Sequence, residues 1–189
     1  MAKQRDVSVE DADFMFENKL VRVIANRNEP EIELVGSKVG PFKEGIDYEL
    51  RFWIAQELGR ANIVRFPENE MLDEVKLHKI NWKERVQPTN KVSPLEAEFY
   101  PKLRRYLAHL DKSSQNNSDI LKEREKSQKT SRDIVNCRVR KIVSLASAPP
   151  LTEHALENLT PEEKTLYHKL HKTIREWKAL ILETGDKND

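Results

Sequence analysis

The stretch that decides the fold, residues 34–58, reads LVGSKVGPFKEG followed directly by IDYELRFWIAQEL. Three of the five glycines in the 189 residues fall here, and a Gly-Pro pair breaks an apolar run just before a phenylalanine. The glycine spacings of four and five residues match neither a dinucleotide-binding fingerprint nor a phosphate-binding loop. The pattern therefore predicts a loop with a structural role, made by Gly36, Gly40, Pro41, Phe42 and Gly45.

Upstream of this loop the sequence is typical of β-structure. Residues 1–13 are polar and acidic and are expected to be loose, with order beginning at Phe14. Residues 19–26 form a β-rich run, residues 27–30 have turn composition, and apolar positions alternate over residues 32–35. This order predicts a hairpin between the two runs.

Downstream of the loop the periodicity changes to that of helices. A short helix is predicted from Phe52, followed by a strand over residues 63–66 and a longer helix over residues 70–86. The polar, proline-containing stretch QPTNKVSP, residues 87–94, is the best candidate for a linker.

The chain from residue 95 onward is predicted to be helical. Apolar residues recur every four positions between residues 95 and 107, and Pro101 either kinks this helix or marks its start. Residues 118–148 are low in glycine, but the part between Leu121 and Ile134 has no apolar residue and is either a solvated helix or a loop. The candidate core or subunit-interface residues here are Leu95, Phe99, Leu103, Val135, Val139 and Ile142.

The last helix has the clearest signals in the chain. Thr160-Pro161-Glu162-Glu163 is a capping box with proline at the first helical position. Apolar residues follow at helical spacing and form one face opposite lysines and arginines. This face either completes the core of its own domain or packs against a sister subunit. Its residues are Leu166, Leu170, Ile174, Trp177 and Ile181.

Composition narrows the class of protein. Charged residues make up 34% of the chain, but the net charge is only +1, so no global field favours nucleic acid. Cys137 is the single cysteine, which excludes an intrachain disulfide framework and a CxxC motif. No apolar run approaches the length of a membrane span and the start of the chain is unlike a secretory signal. We therefore expect an intracellular protein without a membrane segment.

Catalytic signals are absent from the sequence. There is no nucleophile elbow, no HExxH and no signature around the cysteine. His168 and His171 could share a helix face, but no third metal ligand is identifiable. We expect no catalytic, cofactor or metal site.

Two short basic clusters are candidates for contact with a partner. Each cluster falls within about one helical turn and could contact phosphate or an acidic protein surface. Neither has the interleaved aromatic residues that a single-strand stacking platform requires, so a solvated face and a protein interface remain the leading alternatives to DNA contact. The clusters are Lys102, Arg104 and Arg105, and Arg138, Arg140 and Lys141.

The order of these blocks resembles a known family. The runs KLVRVIAN and EIELV, the loop GSKVGPFKEG and the amphipathic FWIAQEL look like the opening of a GINS subunit, in the archaeal-type class where a small β-containing domain precedes a helical domain. PLEAEFYPKLRRYL at 94–107 and NLTPEEKTLYHKLHKTIREWKALI at 158–181 resemble the helical domain of that family. The resemblance covers roughly Phe14 to Ile181. For Arg138 and Lys141 it favours buried or interfacial pairing over DNA contact.

The resemblance implies a non-catalytic subunit of the replicative helicase assembly. Such a subunit would hold the MCM motor ring to a RecJ-like, DHH-family partner, with direct DNA contact weak or indirect. It would pair with a sister subunit of opposite domain order, as two copies of each in a tetramer, and would work in the cytoplasm at the nucleoid, or in a nucleus if the source is eukaryotic. Primase and the replicative polymerase are further candidate partners.

The predicted fold is mostly α, with a small α+β N-terminal domain in residues 1–66 and a helical C-terminal domain in residues 67–189. The linker at residues 87–94 is the alternative boundary. Two competing functions stay open: a stand-alone nucleic-acid-binding regulator that uses the basic clusters, and an enzyme whose site only the fold assembles.

Overall fold

The computed structural model describes residues 6–34, 36–67, 70–114, 118–150, 152 and 156–182, with the backbone alone at Ser37. Contacts divide the chain into two units. One unit is Asp13–Met71, and the other contains the chain up to Ala12 together with Leu72 onward. The predicted class, mostly helical with a small α+β N-terminal part, is confirmed.

The N-terminal unit contains a three-stranded antiparallel sheet with β1 (Leu20–Ala25) at its centre. β4 (Asp47–Arg51) pairs with one edge of β1 and β5 (Val64–Arg65) with the other. Because side chains alternate along a strand, Val23 and Ala25 both point into the core, where they are fully buried.

The predicted hairpin between residues 19–26 and 32–35 is wrong. Both edges of β1 are already occupied, so β2 (Ile32–Leu34) pairs with β3 (Ser37–Val39) in a separate two-stranded sheet. Gly36, between these two strands, has a φ of 78°, which lets the chain double back there.

The described part of the N-terminal unit contains one whole helix, and the boundary between the two units falls within another. α1 (Val9–Glu17) begins earlier than the sequence analysis expected, because Ser8 and Asp11 cap it reciprocally: each backbone N–H donates to the other side chain at 3.0 Å. The expectation of loose structure up to residue 13 is therefore wrong from Val9 onward. α2 (Phe52–Arg60) confirms the predicted short helix and buries Ile54, Ala55 and Leu58.

The glycine-rich loop closes over the core of this unit. Phe42 is only 2% exposed and packs edge-on against Tyr48, with ring centroids 4.9 Å apart. Its backbone exchanges hydrogen bonds with Glu29 at 2.8 and 3.0 Å. Gly40 has a φ of 98°, and a Cβ there would lie 3.2 Å from the Phe42 ring, so a larger residue would displace the ring. The Gly40–Pro41 peptide bond is cis.

Phe42→Ala should destabilise the N-terminal unit by about 3–5 kcal/mol, since it removes a fully buried aromatic side chain. Phe14→Ala is the matched control, because Phe14 is 68% exposed, and it should change the free energy of unfolding by less than about 0.5 kcal/mol. Urea unfolding of the full chain measures both. Similar, small losses in the two variants would show that the loop does not hold the core.

The second unit contains the remaining helices. α3 (Glu74–Val86) starts at Glu74 and not at residue 70 as predicted, because the Asp73 side chain caps it by accepting from the Lys76 N–H at 2.6 Å. α4 (Phe99–Ser113) has Pro101 in its first turn, where no backbone donor is needed. Pro101 therefore marks the helix start and does not kink it.

α5 (Ser118–Ser147) is a single 30-residue helix, which settles the open choice between helix and loop for residues 121–134. In the half of α5 that has few apolar residues, the buried side chains are small and polar: Ser127, Thr130 and Ser131. Ser127 is fully buried, and its hydroxyl lies 3.2 Å from the Tyr106 hydroxyl of α4, which also donates to Glu123 at 2.8 Å. Serine is small enough for close helix packing, and its hydroxyl gives the half-buried Tyr106 hydroxyl a hydrogen-bond partner.

α6 (Pro161–Leu182) follows the predicted cap. The Thr160 N–H donates to Glu163 at 3.0 Å and the Glu163 N–H donates back to the Thr160 hydroxyl at 3.4 Å, which confirms the capping box. The predicted linker at 87–94 lies inside this unit, where Val92 and Ser93 are buried.

The predicted apolar positions of these helices separate into three groups. The buried ones are Phe99, Leu103 and Ile142. The half-buried ones are Leu95, Val135, Leu170 and Ile174. Assignment to the core of this chain is wrong for the exposed ones, which are Val139, Leu166, Trp177 and Ile181.

Candidate interaction surface of the helical unit

A buried ion pair joins α5 to the start of α6. The guanidinium of Arg138, fully buried, donates to both carboxylate oxygens of Glu163, from Nε at 2.5 Å and from Nη2 at 2.6 Å. This two-pronged geometry is the strongest that arginine makes with a carboxylate. The Tyr100 hydroxyl of α4 donates to the same carboxylate at 2.6 Å. One glutamate, already the cap of α6, therefore ties three helices together.

α3 enters the same network through a second buried glutamate. Glu84 accepts from Arg138 Nη1 at 2.9 Å, and its other oxygen lies 2.8 Å from Lys141 Nζ. Arg138 also donates to the Ser93 carbonyl at 2.9 Å and Lys141 to the Glu84 carbonyl at 2.6 Å. Two cations face two carboxylates, so the buried charges compensate one another.

These surroundings keep the groups in their working protonation states. Burial by itself would lower the pKa of Arg138, but the hydrogen bonds and negative charge of Glu163, with the charge of Glu84, outweigh it and raise the pKa. Burial, followed by the charge and hydrogen bond of Glu163, raises the pKa of Tyr100. Arg138 thus stays charged and Tyr100 stays a donor.

Arg138 and Lys141 are both buried and paired with carboxylates, which confirms the expectation of buried pairing for these two residues. Their prediction as part of a partner-binding basic cluster is therefore wrong. Arg140 is exposed and donates to its own helix at the Asn136 carbonyl. A sequence signal for burial was present: Arg138 lies midway between Ile134 and Ile142, at the same four-residue spacing, on the apolar face of α5.

The other basic cluster is only partly available. Lys102 pairs with Glu96 at 2.7 Å, Arg105 donates to the Pro101 carbonyl at 3.1 Å, and Arg104 lies 3.5 Å from the Val9 carbonyl. All three cations are half-buried. Lys102, Arg104 and Arg105 therefore mainly make contacts within the chain.

The ion pair also fixes how α6 lies along α5. Arg138 contacts Glu163, and the Ala146 carbonyl lies 3.0 Å from His171 Nδ1, both pairs being 25 residues apart. The helices therefore run in the same direction with a constant offset, which places the last residue of α5, Ser147, level with Lys172. Lys178 reaches back to the Ser147 carbonyl at 2.9 Å. Residues 173–182 extend beyond the end of α5 by about 15 Å, at 1.5 Å per residue.

This end of α6, residues 173–182, is called the overhang below. It carries large apolar side chains that lack cover: Trp177 is 61% exposed, Leu180 is 73% exposed and Ile181 is 64% exposed. Trp177 and Ile181 continue the face on which Leu170 and Ile174 pack against the core. The face thus begins inside the unit and ends outside it, which is typical of a surface that another protein covers.

Other kinds of site find no support in the described parts of the chain. Those residues include no group of three or more His, Cys, Asp or Glu side chains placed to hold a metal ion. No helix among them is both long enough and apolar enough to cross a membrane.

Comparison with known proteins agrees with the division of the chain into an N-terminal unit and a helical unit. Residues 8–65 match the PSF2 N-terminal domain, and residues 71–182 match the family described as the GINS complex protein helical bundle domain. The chain belongs to the GINS family. The DNA replication complex GINS protein PSF2 of Homo sapiens is 29% identical over 153 residues, which cover 79% of this chain and 78% of that protein. The Xenopus laevis protein of the same name is 29% identical over 97 residues, 51% of each chain.

The family description names a GINS complex, which implies partner GINS subunits, and both relatives are named as proteins of a DNA replication complex. Neither family description names a catalytic activity. The family predicted from the order of the blocks is confirmed. Helical spacing predicted Trp177 and Ile181 as core or subunit-interface residues, whereas Glu84 was not predicted. The signal for Glu84 was its place seven residues after Leu77, on the buried face of α3.

Arg138→Met should lower the stability of the helical unit by about 3–5 kcal/mol, because it leaves two buried carboxylates without their shared cation. Arg140→Met is the matched control two residues away and exposed, and it should stay within about 0.5 kcal/mol of the parent. Denaturant unfolding monitored by circular dichroism compares them. Equal stability of the two variants would contradict the role given to the buried network.

Proposed function

We propose that this GINS subunit is a non-catalytic scaffold that joins another GINS subunit through the overhang of α6. The observation that carries the proposal is the exposure of Trp177, Leu180 and Ile181 on one end of a helix whose other end is firmly anchored. A rigid helix that presents a tryptophan pays little ordering cost on association. Tryptophan is also among the residues that most often dominate binding energy at protein interfaces.

The partner at the overhang is proposed to be a sister subunit of opposite domain order, in a tetramer with two copies of each. The half-buried Leu170 and Ile174 would continue without a break into the new interface, so the core of one subunit would extend into the next. The curated relatives are named as proteins of a DNA replication complex, which supports an assembly of this kind.

The wider role proposed here is to hold the MCM helicase and a RecJ-like, DHH-family protein in a fixed relation during chromosomal replication. Primase and the replicative polymerase are further proposed partners. Several modest contacts on one rigid body raise the effective concentration of each partner for the next, so a scaffold needs no catalytic residue. This role rests on the family and on the exposed overhang, and it places the protein inside the cell at the chromosome.

The structure weakens the alternative of a stand-alone nucleic-acid-binding regulator. Arg138 and Lys141 would have to leave the buried network to contact phosphate, and Lys102 is already paired with Glu96. A DNA-binding regulator would show a steep loss of affinity with salt. Filter binding of the purified chain to duplex and single-stranded DNA at two salt concentrations tests this.

Trp177→Ala combined with Ile181→Ala should leave the fold intact and prevent assembly with the sister subunit. Both side chains are exposed, so the free energy of unfolding should change by less than about 0.5 kcal/mol, whereas loss of a central interface tryptophan costs about 2 kcal/mol or more in binding. Co-expression, size-exclusion chromatography and native mass spectrometry measure assembly and its stoichiometry.

Trp82→Ala is the matched control, because Trp82 is an equally exposed tryptophan, at 66%, on another helix. It should assemble like the parent. Normal assembly of the Trp177/Ile181 variant would refute the overhang as the subunit interface. A lower melting temperature in that variant, but not in the Trp82 control, would show that Trp177 belongs to the core. A native mass that differs from two copies of each subunit would refute the stoichiometry.

A further inference from the structure

A second unassigned surface lies on the outer side of α3 and α5. An open groove of about 500 Å³ is lined by Arg85 of α3 and by Asp133, Asn136, Cys137, Val139 and Arg140 of α5. We call it the α3–α5 groove. The two helices run in the same direction here, because Glu74 pairs with Lys126 and Glu84 with Arg138. The groove therefore lies between two parallel helices.

Exposed apolar side chains lie on both helices beside the groove. On α3, Trp82 lies one turn before Arg85, and Val86 follows Trp82 by four residues on the same face. On α5, Val143 follows the groove residue Val139 by four residues, and both are exposed. None of these four side chains belongs to the core clusters of the unit.

The charge of the groove is positive. Arg85 and Arg140 both line it, and Lys79 and Lys129 are exposed on the same two helices. Within the described parts of the chain, none of these four cations has a carboxylate partner. Asp133 is the single acidic residue in the lining. Unpaired cations beside exposed apolar residues are complementary to a ligand that is both acidic and apolar.

We propose that the α3–α5 groove binds an acidic amphipathic helix of a partner protein. Apolar residues on one face of that helix would cover Trp82, Val86, Val139 and Val143, and its flanking carboxylates would pair with Arg85 and Arg140. Helix binding in an apolar groove uses anchors at helical spacing, and the valines and tryptophan present such spacing on both ridges. Single-stranded nucleic acid fits less well, because a stacking platform needs several aromatic residues and the groove offers Trp82 with three valines.

This surface is separate from the overhang. Its tryptophan and arginines lie on α3 and α5, whereas the overhang consists of residues 173–182 of α6. Binding at the groove and assembly through the overhang can therefore be tested independently. The single cysteine of the chain, Cys137, lies in the groove lining and is half-buried, so a bound probe should lower its rate of alkylation.

The experiment uses the 189-residue chain and a synthetic, fluorescein-labelled helical peptide of about 18 residues, or five turns. Leucines occupy one face of the probe and glutamates the other. A second peptide carries lysine in place of every glutamate, and oligo-dT of similar length represents nucleic acid. Fluorescence anisotropy measures binding, and the rate of Cys137 alkylation, read by mass spectrometry, shows whether the probe lies in the groove.

We expect the acidic peptide to bind at least about tenfold more tightly than the lysine peptide, a difference of about 1.4 kcal/mol, and to protect Cys137. Trp82→Ala and the pair Arg85→Glu with Arg140→Glu should each weaken it by a similar factor. The pair Lys43→Glu with Lys112→Glu is the matched control, because both lysines are exposed and lie outside the groove, and it should bind the probe like the parent.

Several results would overturn the proposal. These are equal affinity for the two peptides, a dissociation constant weaker than about 1 mM, no protection of Cys137, or tighter binding of oligo-dT than of the acidic peptide. Failure of the groove variants to assemble with the sister subunit would assign the groove to the GINS assembly itself, and would refute a separate partner. Loss of assembly only in the overhang variant leaves the two surfaces distinct.

Discussion

The buried contact between Arg138 and Glu163 is the interaction on which the helical unit depends. Neither charge can be left in the interior alone, because the cost of desolvation is recovered only when partners with good geometry are present. Arg138 meets that need by bonding simultaneously to α6, to α3 through Glu84, and to the Ser93 carbonyl. The helices can pack in one register only, because sliding one helix by a turn would leave at least one buried charge without its partner.

That register has a consequence for the surface. Apolar contacts alone would tolerate sliding of α6 along α5, but the hydrogen bonds to Glu163 and His171 hold the offset at 25 residues. With α5 ending at Ser147, the offset leaves the last turns of α6 outside the unit together with Trp177 and Ile181. A buried polar contact thus places the apolar surface that we propose as the subunit interface.

The N-terminal unit is held in a different way, by apolar packing and backbone conformation. Phe42 fills the space beside β1 because Gly40 lacks a side chain that would collide with the ring. The Glu29 backbone then closes the loop with two hydrogen bonds. The two units therefore differ in the interactions that fix their packing. The N-terminal core depends on the fit of apolar side chains, and the helical unit depends on paired buried charges. The exposed tryptophans of α3 and α6 both lie in the helical unit.

The sequence by itself determined the fold class, the loop around Phe42, the capping box of α6 and the family. Each of these is a local signal, set by turn chemistry, by caps or by the order of blocks along the chain. Periodicity also showed which residues share a helix face, but it could not show where a neighbouring helix ends.

Tertiary structure alone decided the pairing of β2 with β3, the partners of the buried Arg138 and Lys141, and the exposure of Trp177. Strand pairing depends on which edges other strands have already occupied. Burial of a charge depends on partners such as Glu84, which lies 54 residues away from Arg138 in the sequence. Trp177 and Ile174 carry the same periodic signal, but Ile174 lies within one turn of the end of α5 and is half-buried, whereas Trp177 lies farther out and is exposed.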